Sequence, residues 1–252
     1  MTIIKIENLC FSVDEHVILK EINTEINKGE IIALIGPNGS GKSTLMKCVN
    51  KVQTAASGNI ILDGKNVKDL SYLEIAKKIA YVPQHEIKAS GVSAFDMILT
   101  GRMPYITWKP SEEDYKKVAE VMEILKISGM AMKDFKDLSG GQQQMVYIAR
   151  AIVQETPIII LDEPTNNLDI KHQIEIMKLL KLLSEQEGKT IIITLHDVNL
   201  ALQYCSKYVL LKSGQIFAQG SEEIINVKNM EHLFEVKMKQ IKDEENFYIM
   251  PF

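Results

Sequence analysis

The order of apolar and polar positions along the chain predicts alternating strands and helices. Partial period-two alternation over residues 2–9 and 16–26, followed by the turn Asn27-Lys28-Gly29, predicts an antiparallel sheet. Short runs that are almost entirely apolar predict strands, several of them buried on both faces as in a parallel sheet. These runs are Ile31–Ile35, Ile79–Val82, Ile158–Leu161 and Thr190–Leu195.

Between about residues 87 and 150 the pattern changes from strands to helices. Ser93 is placed to cap one helix, Ser111 opens an acidic first turn of a helix that we expect to reach about Ile127, and Gly140–Gln154 forms another. The remaining pattern predicts helices at 71–78, 170–187 and 197–205, and hairpins at 58–67 and 208–218. We therefore expect an α/β core over residues 2–86 and 151–225, an inserted helical subdomain over 87–150, and a short C-terminal tail over 226–252.

Composition narrows the classes of function. The chain has 252 residues, is 46% hydrophobic and carries a formal net charge of -4, with acidic and basic residues mixed along it. No basic stripe of the kind that follows a nucleic-acid backbone is present, so nucleic acid is not an expected main partner. The apolar runs are too short to cross a bilayer and the first residues lack a signal-peptide pattern, so we expect a soluble intracellular protein. Cys10, Cys48 and Cys205 have no metal-site spacing and are expected to be small core residues.

A glycine-rich loop follows the strand at Ile31–Ile35. Gly36 to Ser43 fill the pattern G-x-x-x-x-G-K-[ST], in which glycines let successive backbone N–H groups point at one anion. Lys42 is expected to reach the β- and γ-phosphates of a nucleotide, and the Ser43 hydroxyl to ligate Mg²⁺. The other interpretation is a glycine-rich turn without a ligand. The strand before the loop and the helix after it favour nucleotide binding.

Two adjacent carboxylates follow the strand at Ile158–Leu161. The carboxyl edge of a parallel sheet is where α/β proteins bind ligands. We expect Asp162 to support Mg²⁺ and Glu163 to polarise an attacking water as general base. A helix cap or a solvated sheet edge is the other interpretation of such a pair.

A second possible anion site is the segment Leu138-Ser139-Gly140-Gly141-Gln142, directly ahead of a helix. Its small residues can bring N–H groups and the Ser139 hydroxyl against an anion at the positive end of the helix. By itself, this segment is more simply interpreted as the start of a helix without a ligand. Gln84, His196 and Asp169 are each weak signals at the ends of predicted strands or in loops.

Taken together and in this order, these residues resemble the ATP-binding subunit of an ABC transporter. The resemblance covers nearly the whole chain and implies a P-loop NTPase (RecA-like) core with an N-terminal antiparallel β-subdomain and an inserted α-helical subdomain, in an ATP-binding domain over residues 2–238. It identifies Gln84 as the Q-loop glutamine, Leu138–Gln142 as the signature, Glu163 as the catalytic glutamate, Asn167–Asp169 as the D-loop and His196 as the switch histidine. It identifies the Walker A loop as Gly36, Pro37, Asn38, Gly39, Ser40, Gly41, Lys42, Ser43 and Thr44.

The resemblance also implies cofactors and partners. ATP would be bound with Mg²⁺, which Ser43, Gln84 and Asp162 would hold. Two copies would form a head-to-tail homodimer in which each ATP lies between the Walker A loop of one copy and Ser139, Gly140, Gly141, Gln142 and the Asp169 region of the other. Permease subunits in the membrane would recruit the dimer to its cytoplasmic side, and an extracytoplasmic substrate-binding protein would act indirectly.

The position that would stack on the adenine base departs from the family pattern. Many relatives carry an aromatic residue there, whereas this chain has Val13, with Phe11 two residues earlier, both placed between the first two predicted strands. Base stacking is therefore weaker than usual, or Phe11 substitutes for it.

Two further segments resemble the subfamily that imports iron-siderophore, haem or cobalamin. These are Thr100-Gly101-Arg102-Met103-Pro104-Tyr105 and the run from His196 to Cys205. As a hypothesis, the helical subdomain receives a permease helix and Arg102 helps to shape the receiving surface. Alternatives are an ATPase for an exporter or for an amino-acid or metal importer, or a non-transport ATPase. The long insertions of DNA-repair relatives and the two heads of translation factors are absent from this sequence.

Overall fold

A computed structural model describes residues 1–84, 90–166, 168–243 and 246–252. Within these ranges the chain forms twelve strands, which are β1 (Thr2–Val13), β2 (His16–Asn27), β3 (Ile31–Ile35), β4 (Ser57–Leu62), β5 (Lys65–Asn66), β6 (Ile79–Val82), β7 (Ile158–Leu161), β8 (Thr190–Thr194), β9 (Lys207–Lys212), β10 (Gln215–Gly220), β11 (Met238–Asp243) and β12 (Asn246–Pro251). It forms eight α-helices, which are α1 (Lys42–Val49), α2 (Tyr72–Ala76), α3 (Ala94–Leu99), α4 (Glu112–Ile124), α5 (Gly140–Val153), α6 (Ile170–Glu187), α7 (Val198–Tyr204) and α8 (Val227–Phe234). Short 3-10 helices are Val67–Asp69, Thr100–Tyr105, Ser128–Met130, Phe135–Asp137 and Glu222–Ile224. The predicted alternation of strands and helices is confirmed.

The chain groups into two compact units. The first comprises Met1–Leu70 and Met177–Phe252, and the second comprises Ser71–Ile176. The predicted helical insertion, residues 87–150, lies within the second unit. Its boundaries, and those of the core and the tail, remain predictions about domain organisation.

The first unit contains the sheets that carry the glycine-rich loop. β2, β1, β4 and β5 form an antiparallel sheet, as the alternation predicts. β3 lies between β8 and β9 and runs parallel to both, and β10 pairs antiparallel with β9. All residues of β3 and β8 are buried, which agrees with the almost entirely apolar character of these segments. The loop that leaves β3 is therefore anchored on a buried strand.

The first strand is longer than its apolar alternation predicts. The alternation ends near residue 9, but β1 continues to Val13, where it pairs with His16. Register shifts on both sides of Leu9 and Phe11 break the period-two pattern without ending the ladder. Phe11 and Val13 are therefore strand residues, and their predicted place between the first two strands is wrong.

The second unit combines the parallel pair β6 and β7 with most of the helices. Ser93, Ser111 and Ser139 cap α3, α4 and α5, each accepting from the backbone N–H three residues later. Helix α4 ends at Ile124, three residues before the predicted end. Lys126 adopts a left-handed φ of 56°, and the Ile127 N–H returns to the Met122 carbonyl at 2.9 Å, so the chain reverses there.

The three cysteines differ in their burial. Cys48 and Cys205 are buried as predicted, whereas Cys10 is half-buried, and none of the three forms a disulfide. Burial raises the pKa of Cys48 to about 11 and that of Cys205 to about 12. In the portion of the chain that the structure describes, no helix combines the length and the apolar character needed to cross a membrane.

Candidate functional site

The glycine-rich loop closes around the amino group of Lys42. The Lys42 side chain is only 5% exposed, and its Nζ donates to the carbonyl oxygens of Gly36 at 2.8 Å and Pro37 at 3.0 Å. The loop therefore wraps over a buried positive charge at the first residue of α1. A cation fixed at this point attracts a phosphate.

Two glycines are required by close approach of other parts of the first unit. A Cβ on Gly36 would lie 2.1 Å from the Leu211 carbonyl oxygen in β9. Gly41 has a φ of 103°, and a Cβ there would lie 2.7 Å from a methyl group of Leu19. Neither position accepts a side chain, so the glycine spacing of the motif is a requirement of this packing.

The donors around the loop fit an anionic ligand. The N-cap residue of helix α1 is Gly41, which provides no side-chain cap, so the first N–H groups of the helix depend on another acceptor. The Ser40 hydroxyl is 2% exposed and finds no hydrogen-bond partner among the described residues. Phosphate oxygens supply the acceptors that these groups need. The fit to a nucleoside triphosphate thus rests on the loop geometry as well as on the motif.

The carboxylate of Asp162 is buried at the end of β7. Its backbone N–H donates to the Val82 carbonyl at 2.9 Å, which continues the β6–β7 ladder, and the residue is 1% exposed. Burial, and secondly the charge of Asp162, raise the pKa of the Tyr81 phenol. A negative charge in a dry environment favours a bound cation. Asp162, Gln84 and Ser43 each carry an oxygen of the kind that Mg²⁺ prefers.

Two side-chain amides hold the carboxylate of Glu163. Glu163 is 7% exposed, and its Oε2 accepts from Gln84 Nε2 at 2.5 Å and from Asn166 Nδ2 at 2.5 Å. The structure thus brings together Gln84 and Glu163, which the sequence singled out separately. Asn166 was missed as a site residue because an asparagine in a loop is ordinarily a turn residue. The turn composition Glu163-Pro164-Thr165-Asn166 is the signal that points to it.

The signature segment forms the N-terminus of α5. Ser139 Oγ accepts from the Gln142 N–H at 3.3 Å, and Gln142 Oε1 accepts from the Ser139 N–H at 3.1 Å. This reciprocal capping box would by itself account for a serine at 139 and a glutamine at 142, because both side chains stabilise the start of the helix. Ser139 and Gly140 are nevertheless exposed, while Leu138 is buried, so the helix start is anchored and faces solvent.

The two remaining polar positions also lie at helix starts. Asp169 Oδ1 accepts from the His172 N–H at 2.9 Å and lies 2.8 Å from the His172 ring Nδ1, and these contacts lower the pKa of Asp169. The predicted D-loop residue Asn167 falls outside the described residues. His196 is exposed directly after β8 and Leu195, and Asp197 caps α7 through the Asn199 and Leu200 N–H groups.

The candidates for contact with the base differ in exposure. Phe11 is 7% exposed and belongs to the core of the first unit, whereas Val13 is 47% exposed. A buried ring has no face available for stacking. Of the two, Val13 is therefore the residue with surface to offer a ligand.

Arg102 is an internal residue of the second unit. It is 6% exposed, its Nε donates to Asp114 Oδ1 at 2.9 Å, and its Nη1 donates at 2.8 Å both to the Val153 carbonyl and to Glu155 Oε2. Its guanidinium also lies 4.5 Å from the centre of the Tyr105 ring. Because Arg102 is buried, any effect that it has on a surface that receives a permease helix is indirect. Such an effect would act through the segments that carry Asp114, Val153 and Glu155.

The sequence is similar to that of known proteins over most of its length. A family model described as ABC transporter matches residues 19–166. The probable siderophore transport system ATP-binding protein YusV of Bacillus subtilis is 38% identical over 246 residues, which is 96% of this chain and 90% of that protein.

Two solved structures are similar over most of the chain. A metal-chelate type ABC transporter in an inward-facing conformation has a TM-score of 0.86 and 30% identity, covering 100% of this chain and 98% of that one. A dimeric ATP-binding cassette in a post-hydrolysis state with ADP and Pi has a TM-score of 0.79 and 32% identity, covering 86% and 98%. These neighbours have the expected mixed α/β cassette fold.

Proposed function

The chain belongs to the ABC transporter family, and on that premise we propose that it is the ATP-hydrolysing subunit of an importer for an iron-siderophore, haem or cobalamin. The siderophore system of YusV and the metal-chelate transporter support this substrate class. The observation that carries the enzymatic part is the buried Glu163 carboxylate, whose Oε2 is fixed by Gln84.

Lys42 and the start of α1 bind the triphosphate. The Lys42 ammonium and the uncapped N–H groups converge on the loop that follows β3. Ser40 adds a buried hydroxyl donor. Because Val13 is aliphatic and exposed, the base contributes less to affinity than the phosphates do.

Ser43, Gln84 and Asp162 would hold Mg²⁺. The bound ion would neutralise charge on the β- and γ-phosphate oxygens. The contribution of the protein is to keep Asp162 in a dry position at the end of β7, where its charge is not screened by water.

Glu163 acts as general base. A water oxygen attacks the γ-phosphorus, and the bond between that phosphorus and the β–γ bridging oxygen breaks. The electron pair of that bond leaves with ADP, and Glu163 accepts the proton of the water. His196 is placed by β8 and the Asp197 cap, and in this proposal it donates to the γ-phosphate.

Two copies assemble head to tail around two ATP molecules. The exposed, capped start of α5 supplies the Ser139 hydroxyl and the Gly140 and Gly141 N–H groups to the nucleotide of the other copy, with Asp169 nearby. The dimeric cassette with ADP and Pi supports such an assembly. Closure of the dimer drives permease subunits at the cytoplasmic side of the membrane, and an extracytoplasmic binding protein delivers the substrate to them.

Substitution of the base tests the enzymatic part. Purified Glu163→Gln should bind Mg-ATP, hydrolyse it at least about a hundredfold more slowly and elute as a dimer on gel filtration. Glu120→Gln, an exposed residue of α4, is the matched control and should behave as the unsubstituted protein. Hydrolysis by Glu163→Gln at the normal rate would exclude Glu163 as base.

Uptake by cells tests the substrate class. Cells that lack the gene should lose uptake of one of three labelled compounds, an iron-siderophore, haem or cobalamin. The unsubstituted gene should restore this uptake and Glu163→Gln should not. Normal uptake of all three in the deleted strain would overturn the assignment of substrate class and leave the ATPase assignment standing.

A further inference from the structure

A tight turn follows the carboxylate pair at the end of β7. The Asn166 N–H donates to the Glu163 carbonyl at 3.2 Å, which closes the turn over Pro164 and Thr165. Proline is favoured at the second position of such turns because its φ is fixed. The turn directs the Asn166 side chain back towards Glu163.

The backbone of Glu163 is strained. Its φ is 53°, a left-handed value that costs energy for a residue with a side chain. The residue before a proline also tends towards extended conformations, which makes this value more unusual. Such strain persists where surrounding contacts over-determine it, and the two amides on Oε2 are such contacts.

The two amides differ in their separation from Glu163 along the chain. Gln84 is 79 positions from Glu163, whereas Asn166 is three positions away and belongs to the same closed turn. In the proposed function Gln84 also supplies an oxygen to Mg²⁺, so its amide serves two sites. The Asn166 amide donates to Glu163.

We propose that Asn166 is a positioning residue that sets the orientation of the Glu163 carboxylate for proton transfer. Its Nδ2 donates to Oε2 and restricts rotation of the carboxylate about the last side-chain bond. Asn166 is itself exposed, whereas Glu163 is 7% exposed. This inference rests on the proposed role of Glu163 as general base.

Two substitutions separate the donor from the shape of the side chain. Asn166→Ala removes the amide and should lower kcat for ATP hydrolysis about tenfold, with KM unchanged within about twofold. Asn166→Asp keeps the shape but replaces the N–H donor by a second carboxylate against Glu163. It should lower kcat further, by about a hundredfold.

A matched control is Asn59→Ala. Asn59 is an exposed asparagine of β4 whose side chain accepts from one other side-chain amide, that of Asn66, at 3.0 Å. Its removal should leave kcat and KM unchanged. The melting temperatures of both alanine variants should lie within a few degrees of that of the unsubstituted protein.

A double-mutant cycle tests whether Asn166 acts through Glu163. In the Glu163→Gln background, Asn166→Ala should change the residual rate by less than about twofold, because the two residues act as a unit. The same double variant should still form the Mg-ATP dimer on gel filtration, a result that does not depend on turnover.

The outcomes distinguish this inference from the proposed function. Normal kcat in both Asn166 variants, with Glu163→Gln inactive, would overturn the positioning role and leave Glu163 as base. A similar loss from Asn166→Ala in the active and Glu163→Gln backgrounds, or a raised KM with a lowered melting temperature, would assign Asn166 a structural role only. Normal hydrolysis by Glu163→Gln would overturn the proposed base itself.

Discussion

The side-chain amide of Gln84 donates to Glu163 Oε2 at 2.5 Å, which joins residues 79 positions apart in the sequence. Gln84 lies just after β6 and Glu163 just after β7, and these two strands are parallel neighbours with Val82 opposite Leu161. The carboxyl ends of neighbouring parallel strands meet at one edge, so the sheet itself brings the amide to the carboxylate. In the proposed function, the Gln84 side chain therefore supplies both an oxygen to Mg²⁺ and a hydrogen-bond donor to the base.

Gln84→Ala should affect both roles. Loss of the donor should lower kcat about tenfold, and loss of the amide oxygen should raise the Mg²⁺ concentration needed for half-maximal hydrolysis. Steady-state hydrolysis at a series of Mg²⁺ concentrations measures both effects. An unchanged Mg²⁺ requirement with a lowered kcat would show that Gln84 acts through Glu163 alone.

Lys42→Ala should remove most nucleotide affinity. The substitution deletes the buried charge and the two hydrogen bonds that close the loop over Gly36 and Pro37. We expect ATP affinity to fall at least about a hundredfold in titration calorimetry. Lys51→Ala is the matched control, since Lys51 Nζ also donates to two carbonyl oxygens of the same unit, those of Lys68 and Leu70. It should lower stability without changing ATP affinity, and an equal loss of affinity in both variants would contradict the prediction.

Arg102→Lys should destabilise the protein. An ammonium cannot make the three directed bonds to Asp114, Val153 and Glu155 that the planar guanidinium makes. We expect the free energy of unfolding to fall by about 2 kcal/mol in urea denaturation. Lys116→Ala breaks an exposed pair with Glu120 on α4 and should change it by less than about 0.5 kcal/mol. Equal changes in the free energy of unfolding for the two substitutions would mean that the buried Arg102 network stabilises the protein no more than an exposed ion pair does.

The same network should make stability depend on acidic pH. Hydrogen bonds from Ser111, and then from Arg102, lower the pKa of Asp114 from 3.8 to about 2. A lowered folded-state pKa contributes stability above the unfolded-state value, and this contribution is lost as the pH falls from about 4 towards about 2. In urea titrations across that range, Asp114→Asn should show a shallower loss of stability than the unsubstituted protein. Parallel pH profiles would exclude this contribution.

Local pattern was sufficient for most elements and for the motifs. Gly39 and Gly41 adopt positive φ values of 77° and 103°, and Ser93, Ser111 and Ser139 act on N–H groups three residues away. Such requirements involve neighbours in sequence or a repeating geometry, so residue types and spacing carry them. The roles assigned to the site residues remain proposals that the experiments above test.

Contacts between distant segments could not be predicted in the same way. The alternation in β1 ended near residue 9 because register shifts disturbed it, and only the pairing with β2 shows that Phe11 is buried and Val13 exposed. The sequence singled out Arg102, but its burial depends on Asp114, Val153 and Glu155, which lie on other elements. Burial is a property of the assembled unit, so it cannot be deduced from one segment.

The amino-acid sequence by itself determined that this chain has a phosphate loop, a carboxylate pair after a buried strand, and a capped helix start of the ABC family. Each of these depends on backbone conformations that a few adjacent residues impose. Only the tertiary structure decided that Gln84 and Asn166 meet on one oxygen of Glu163. That meeting requires the pairing of β6 with β7 and the closure of a turn, and hydrogen bonds form only between groups that the completed fold brings within reach.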